Sequence, residues 1–536
     1  MSQGKKQIAA PSLFIPSGDP YVHIPKRHFY ARLEALIDLS FVRALTAPCY
    51  AAKLGRPSLD PVVFFKCMLV AFFENIVADR ALEFRLADSL VIRKYLGYGL
   101  DERTPDESTL RKTRQLFPEE LFRLVFLQVL AQCAERGLVH GRALGMDSTT
   151  VDANASMDSL VHKELGCTYE EFMVALKRQD APAATKEAAK TADKDRPGKA
   201  SNRDWASPTD PDARVMQHAD KHTHLSYHVD ATVDLESGVI VAVGADYADH
   251  SDQQTCLDRV DEAVENVEAV GGTPQMLVGD KGHHSGENLR GIAERGLIPL
   301  ISSPCQMRGA EGFRREDFTY EDETDRYTCP AGQMLTRRMS RQDTKLYQAR
   351  GAICRACPHF GICTKSKTGR GLSISHDDDI IQQNRARVHH PDAWPILMIR
   401  RQRGEAPFGY FKQFGGLGRL TGHGLAFATK KALIAGIGWN LRRMLTMART
   451  VVSRWAAVLG HIGRRRCHWT AMRRCQDGKT RQNTCDLLLR NHSGSGGEKR
   501  LLSAGCYIRL DSFLICKIQI IYCREILFPV QMPRAV

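Results

Sequence analysis

Nowhere in the chain do apolar residues run uninterrupted for the roughly 18 positions that a membrane-spanning helix requires. The nearest approach, PVVFFKCMLVAFFENIVA over 61–78, is broken by Lys66 and Glu74 and reads as a packed helix of a globular protein. The first twenty residues, MSQGKKQIAAPSLFIPSGDP, lack the continuous apolar core of a secretory signal. A cytoplasmic protein without membrane partners is therefore expected, and its 16 cysteines should be mostly reduced thiols. Acid is the other scarcity. Between 381 and 480 there are 3 Asp/Glu against 19 Lys/Arg, an excess greater than the +14 net charge of the whole chain. Such a stretch is either a solvated basic face or a surface for a polyanion, with nucleic acid ahead of an acidic membrane.

What is present is ordinary in amount. Hydrophobic residues at 43% and charged residues at 25% describe a soluble globular chain, and 536 residues leave room for more than one domain. Residues 1–136 form an expected all-helical amino-terminal domain, because RHFYARLEALIDLSFVRAL and the run after Pro61 carry apolar residues at helical spacing. In TPDESTLRKTRQLF, Asp106 and Ser108 are N-cap candidates ahead of Arg111, Lys112 and Arg114. That short basic helix either lies against DNA or is an amphipathic helix facing solvent.

From 137 the pattern turns to strands, and 137–450 is the expected second domain. ALGMDSTTVDANAS begins as a strand with Leu144 and Met146 on alternate positions and is expected to end at Asp147. A polar insertion over 160–216 follows, rich in Ala, Lys, Asp and Pro. HLSYHVDATVD and VIVAVGADY, joined by Leu-Glu-Ser-Gly, then read as a hairpin. The helix DQQTCLDRVDEAVENVEAVGG, a strand QMLVGD ending in Asp280, a further helix and the strand LIPLISSP complete a mixed α/β sheet. Residues 304–384 interrupt it with a cysteine-containing insertion, after which the chain is helical again. Residues 451–536 hold 6 of the 16 cysteines without clear periodicity and read as a frameshifted or disordered tail, with an accessory domain as the rival reading.

Asp147 at a strand exit is a turn residue, an N-cap or a metal ligand. Paired with Asp280 it gains weight as a ligand, because in α/β sheets ligands collect at the carboxyl ends of strands. Glu405 is the only Glu between 381 and 480, and Pro407 suits a first helical turn, which would set Glu405 near a helix start. Lys412 follows two helical turns later, on the same face. Three carboxylates beside a basic surface suit two hard cations that activate a water or hydroxyl and stabilise a leaving oxygen. Cys329, Cys354, Cys357 and Cys363, with gaps of 24, 2 and 5 residues, are either a structural Zn2+ site or reduced loop thiols.

From about 30 to 450 the chain resembles a DDE-type bacterial insertion-sequence transposase with an InsH-like helical amino-terminal domain. The resemblance is carried by MDSTTVDANAS, VGDKGHH, RRQRGEAPFGYFK and GIGWNLRRML. It implies an RNase H-like catalytic core in which Asp147, Asp280 and Glu405 bind Mg2+ or Mn2+. It also implies a transposase that binds double-stranded DNA at its element's inverted repeats as a homo-oligomer, cleaves those ends and joins them to target DNA. On the cytoplasmic nucleoid, Arg401 and Lys412 would contact DNA, as members of a Tyr-Arg-Glu-Lys signature whose tyrosine position is Met398 here. Asp152 is a rival to Asp147. A transposase-derived DNA-binding protein without catalysis and a metal-dependent nuclease without strand transfer are the competing classes.

Overall fold

The protein is described here from a computed structural model, which covers residues 3–6, 21–51, 57–178, 201–217, 222–303, 312–340 and 344–447. The architecture is mixed α/β with a helical amino-terminal region. Helices Phe29–Leu36, Val42–Thr46, Pro61–Phe73, Asp79–Asp88, Leu90–Leu96, Glu107–Leu116 and Glu119–Glu135 make up that region. The apolar run starts at Pro61, whose missing N–H is one the first turn leaves unpaired anyway. Asp60 caps it, accepting from the Val62 N–H at 2.9 Å and from Arg43 at 2.8 Å. Almost every residue of that helix is buried, and no described helix is long and apolar enough to cross a membrane. Asp106 caps the Glu107–Leu116 helix by accepting from the Thr109 N–H at 2.7 Å, while Ser108 lies inside the helix.

The central sheet consists of β1 (Ala143–Asp152), β4 (Arg214–Gln217), β5 (Thr223–Asp234), β6 (Ile240–Tyr247), β7 (Met276–Gly279) and β8 (Ile298–Ile301); the short β2 (Val161–His162) and β3 (Trp205–Ala206) pair separately. Its order is β6-β5-β1-β7-β8, with β4 extending the edge that β6 occupies along β5. β5 runs antiparallel to both β1 and β6, whereas β7 and β8 run parallel to β1. Asp234 fixes the β5–β6 turn by accepting from the Glu236 and Ser237 N–H groups at 2.8 and 3.0 Å.

Three expectations need correction. β1 does not stop at Asp147 but continues to Asp152, because Ser148, Thr149, Thr150 and Val151 keep pairing with β5. The polar insertion ends before 216, since β4 adds to the sheet. Residues 304–384 do not merely interrupt the fold. Strands Thr319–Glu321, Arg326–Thr328, Met334–Ser340, Thr344–Gln348 and Gly371–Ser375 form a second, antiparallel sheet with its own core of Phe318, Tyr327, Leu335, Tyr347, Leu372 and Ile374. The helix Asp378–His389 already belongs to the main body, where Asn384 brackets Ile301 of β8 with bonds of 2.8 and 3.1 Å. Parts of both insertions (179–200 and 304–311) and the tail over 451–536 lie outside the described residues.

The amino-terminal helices and the sheet share one core, and helical residues 425–447 join them. Asn440 brackets Ile240 at the start of β6 through bonds of 2.7 and 2.8 Å, and Trp439 donates to the Gly238 carbonyl at 2.7 Å. On the same segment, a Cβ at Gly436 would lie 2.8 Å from Val243 of β6 and 3.2 Å from Phe126, and one at Gly438 would overlap the ring of Phe72. Phe72 is buried, so such an overlap falls within the core. Gly438→Val is therefore expected to lower stability by about 3 kcal/mol, the upper end of ordinary overpacking. Gly409→Val is the control, because no atom lies within 4 Å of a Cβ there. Equal denaturation midpoints for the two variants would sink the packing argument.

Candidate active site

β7 pairs in parallel with the start of β1 alone, Gly145 opposite Val278 being the last matched pair. Continuing that register by two residues sets Asp147 beside Asp280, just past the carboxyl end of β7. Alternation along β1 sends Asp147 and Ser148 to opposite faces of the sheet. Asp147 meets the helix Ala393–Phe414, where Arg400 reaches its Oδ1 at 2.9 Å and also donates to the Met146 carbonyl at 3.0 and 3.2 Å. The helix runs close beside Asp147 at Gly404, where an added Cβ would make an ordinary 3.8 Å contact with Asp147 Cβ. Burial pushes the Asp147 carboxyl above its usual range despite the Arg400 guanidinium, and the neighbouring Asp280 adds to the rise.

Asp280 behaves oppositely. Its Oδ1 accepts from His283 Nδ1 at 2.8 Å and from the Gly282 N–H at 2.9 Å. The His283 bond is the main reason its pKa falls to about 2, so this carboxylate is ionised and Nδ1 is the donor.

Glu405 is exposed and follows Gly404 directly. The expectation that it begins a helix is corrected, because Pro407 sits in the interior of Ala393–Phe414 and Glu405 is mid-helix. The helix tolerates the proline although the Arg403 carbonyl loses its donor four residues on. Arg401 and Lys412 are exposed on the same helix, with Met398 half-buried between Arg401 and the helix start. Burial lowers the Lys412 pKa, and Asp152 at the end of β1 raises it in part.

On the other sheet face lies a polar cluster that sequence reasoning missed. Ser148 Oγ donates to Asp252 Oδ1 at 2.7 Å; His228 Nε2 is 2.7 Å from Asp230 and 3.4 Å from Asp252. Burial opposes charge on His228 and Asp230, yet their mutual hydrogen bond prevails, raising the histidine pKa and lowering that of the aspartate. A Cβ at Gly282 would overlap Asp252 Oδ2, so a larger residue there would displace that carboxylate. Among the described residues, His228–Asp230–Asp252 and Asp252–Asp280–His283 are the two groups of three close metal-ligating side chains; Asp147 and Glu405 join neither. The available signal was His228 and Asp230 at alternate positions of one strand, a polar stripe directed inward.

The basic residues separate. Arg111 and Lys112 are exposed, and Arg111 lines a groove with Arg80, Gln115, His423 and Lys430. Asn154, two residues past β1, ties that groove to the sheet through Thr421 at 3.0 Å and His423 at 3.2 Å. Arg114 departs from the expected DNA-facing set: it is buried, bonded to Asp79 at 2.6 and 2.9 Å, and its guanidinium lies over the Phe427 ring. Cys329, Cys354, Cys357 and Cys363 are free thiols lining one cavity with Phe313 and His359. They are gathered around the cavity but do not form a group of three donors within 4.8 Å of one another.

Comparison with known proteins adds two matches. Residues 19–116 match the family described as Transposase domain (DUF772), and residues 328–445 match the family described as Transposase DDE domain. No curated protein matches the chain significantly. Among solved structures, a cryo-EM structure of a piggyBac transposase synaptic complex with hairpin DNA is similar over 78% of this chain and 79% of that one, at 10% identity and a TM-score of 0.23.

Proposed function

We propose, on the premise that these two family matches support a DDE-type insertion-sequence transposase, that the protein binds the inverted repeats of its own element and catalyses metal-dependent end cleavage and strand transfer there. The observation that carries this reading is the β1–β7 register, which brings Asp147 and Asp280 side by side next to the helix bearing Arg401, Glu405 and Lys412. The strand order β6-β5-β1-β7-β8, antiparallel and then parallel, supports an RNase H-like core, the fold we assign to it.

Asp147, Asp280 and Glu405 would hold Mg2+ or Mn2+, and the donor chemistry fits, because carboxylate oxygens are the hard ligands these ions take. When bound, the ions supply Lewis-acid activation of the attacking hydroxyl and charge stabilisation at the leaving oxygen. The chain's own residues orient and neutralise. Arg400 fixes one oxygen of Asp147, and the His283 and Gly282 donors fix one oxygen of Asp280. Arg401, Lys412, Arg111 and Lys112 offer charge to DNA phosphates, which sets position rather than sequence preference. A homo-oligomer on DNA, working at the nucleoid in the cytoplasm, would handle both element ends. Thiolates suit a structural Zn2+, but no three of the four cysteine sulfurs lie within 4.8 Å of one another, so no such ion is assigned to them.

The test is cleavage of labelled DNA carrying the gene's own flanks, with Mg2+ or Mn2+ and then with a chelator. Nicks at discrete positions near the ends, lost on chelation, are expected. Specific binding without nicking would favour a transposase-derived DNA-binding protein, and cleavage without joining a nuclease.

A further inference from the structure

We infer that His283 is a positioning residue for Asp280, holding Oδ1 of that carboxylate so that Oδ2 stays available to a divalent cation. The inference rests on the reading above, in which Asp280 holds metal. Three observations carry it. First, the two bonds that the Asp280 carboxylate accepts both fall on Oδ1, from His283 Nδ1 at 2.8 Å and from the Gly282 N–H at 2.9 Å. Second, His283 is 1% exposed, yet its Nε2 has no hydrogen-bond partner. A buried ring nitrogen left unpaired is unfavourable. An apolar ring would fill the same space without that penalty, so packing alone does not account for an imidazole here. Its bond to Asp280 does. Third, the backbone that carries the imidazole is held. Asn288 donates to the His283 carbonyl at 3.1 Å and also to the Gln253 carbonyl at 3.0 Å, tying the turn after β7 to the Asp252–Ala269 helix.

Partners of this kind orient metal-holding carboxylates and imidazoles, and their loss commonly weakens metal binding about 10- to 100-fold. Asp252 is the competing partner within the same cluster, but Ser148 already occupies its Oδ1 at 2.7 Å.

The experiment uses the full chain and three substitutions. His283→Asn places an amide N–H where Nδ1 stands, His283→Gln moves it to the reach of Nε2, and His283→Ala removes it. Binding of Mn2+ is measured by electron paramagnetic resonance of the free ion, beside unfolding midpoints and the Mn2+ concentration for half-maximal DNA cleavage. The expected result is at least about tenfold weaker Mn2+ binding in the Ala and Gln variants, with the Asn variant within about threefold of the wild type. Wild-type affinity in all three, or losses that merely follow the unfolding midpoints, would overturn the positioning role. Asp280→Asn separates the two layers of the argument: unchanged Mn2+ binding in that variant would overturn the assignment of Asp280 as a metal holder.

Discussion

Asp147→Asn should yield a folded protein whose metal-dependent cleavage of its element's ends is lower by about a thousand-fold, because a cation's stabilisation of transition-state charge amounts to several kcal/mol. The choice of Asn matters. Arg400 is buried and spends one side of its guanidinium on Asp147 Oδ1 at 2.9 Å. An Asn side-chain oxygen can still accept that bond, whereas Asp147→Ala would leave a buried donor facing an apolar methyl. The Arg400 bonds to the Met146 carbonyl, at 3.0 and 3.2 Å, survive in both variants. Unfolding midpoints should therefore be closer to the wild type for Asn than for Ala, while cleavage is lost in both. Activity within tenfold of the wild type in Asp147→Asn would rule out a metal-holding role for this residue. Asp152→Asn is the natural comparison and should retain cleavage, since Asp152 ends the strand and adjoins Lys412 instead.

Asp79→Ala is expected to lower stability by about 3 kcal/mol, the low end for removing one partner of a buried ion pair. Asp79 receives both terminal nitrogens of Arg114, at 2.6 and 2.9 Å, and the side chains are 25% and 9% exposed. Lys431 stands close enough that burial first, and Arg114 second, push its pKa down to about 8. Removing Asp79 would strand two cations around Phe427 with no carboxylate between them. Burial works to raise the Asp79 pKa, but the Arg114 bonds win and leave it below the usual range. Its contribution is therefore complete at neutral pH and fades only as acid is added through the carboxylate range. The loss in Asp79→Ala should accordingly be full at pH 7 and smaller near pH 3. A denaturation midpoint at pH 7 equal to the wild type would show that this pair holds nothing together.

The sequence made the scaffold of the site legible where two local signals agreed. Apolar alternation ran into an acid at Asp147 and at Asp280, and the hairpin between them announced itself by its Leu-Glu-Ser-Gly turn. The extent of β1 was not legible, because Ser148, Thr149 and Thr150 look like loop in a polar context. In the structure they stay in the strand, since β-branched threonines suit it and Ser148 has a polar neighbour to face. His228 and Asp230 escaped notice for a related reason. Alternation usually sends the polar face to water, and here both residues are buried and satisfy each other. Pro407 misled by its usual meaning as a helix opener. Arg114 shows the limit of counting charges: Arg111, Lys112 and Arg114 look equivalent in sequence, and only the helical turn decides that the third points inward.

The segment at 436–440 has a consequence for how the chain is made. Phe72, Phe126 and Val243 find their closing neighbours near the end of the described residues, among the last of them to leave the ribosome. The amino-terminal helices are complete once residue 135 has emerged, but their cover arrives about 300 residues later, a wait of roughly 15 to 60 seconds at ordinary elongation rates. Throughout that interval a large aromatic surface has only solvent, or a chaperone, to meet it.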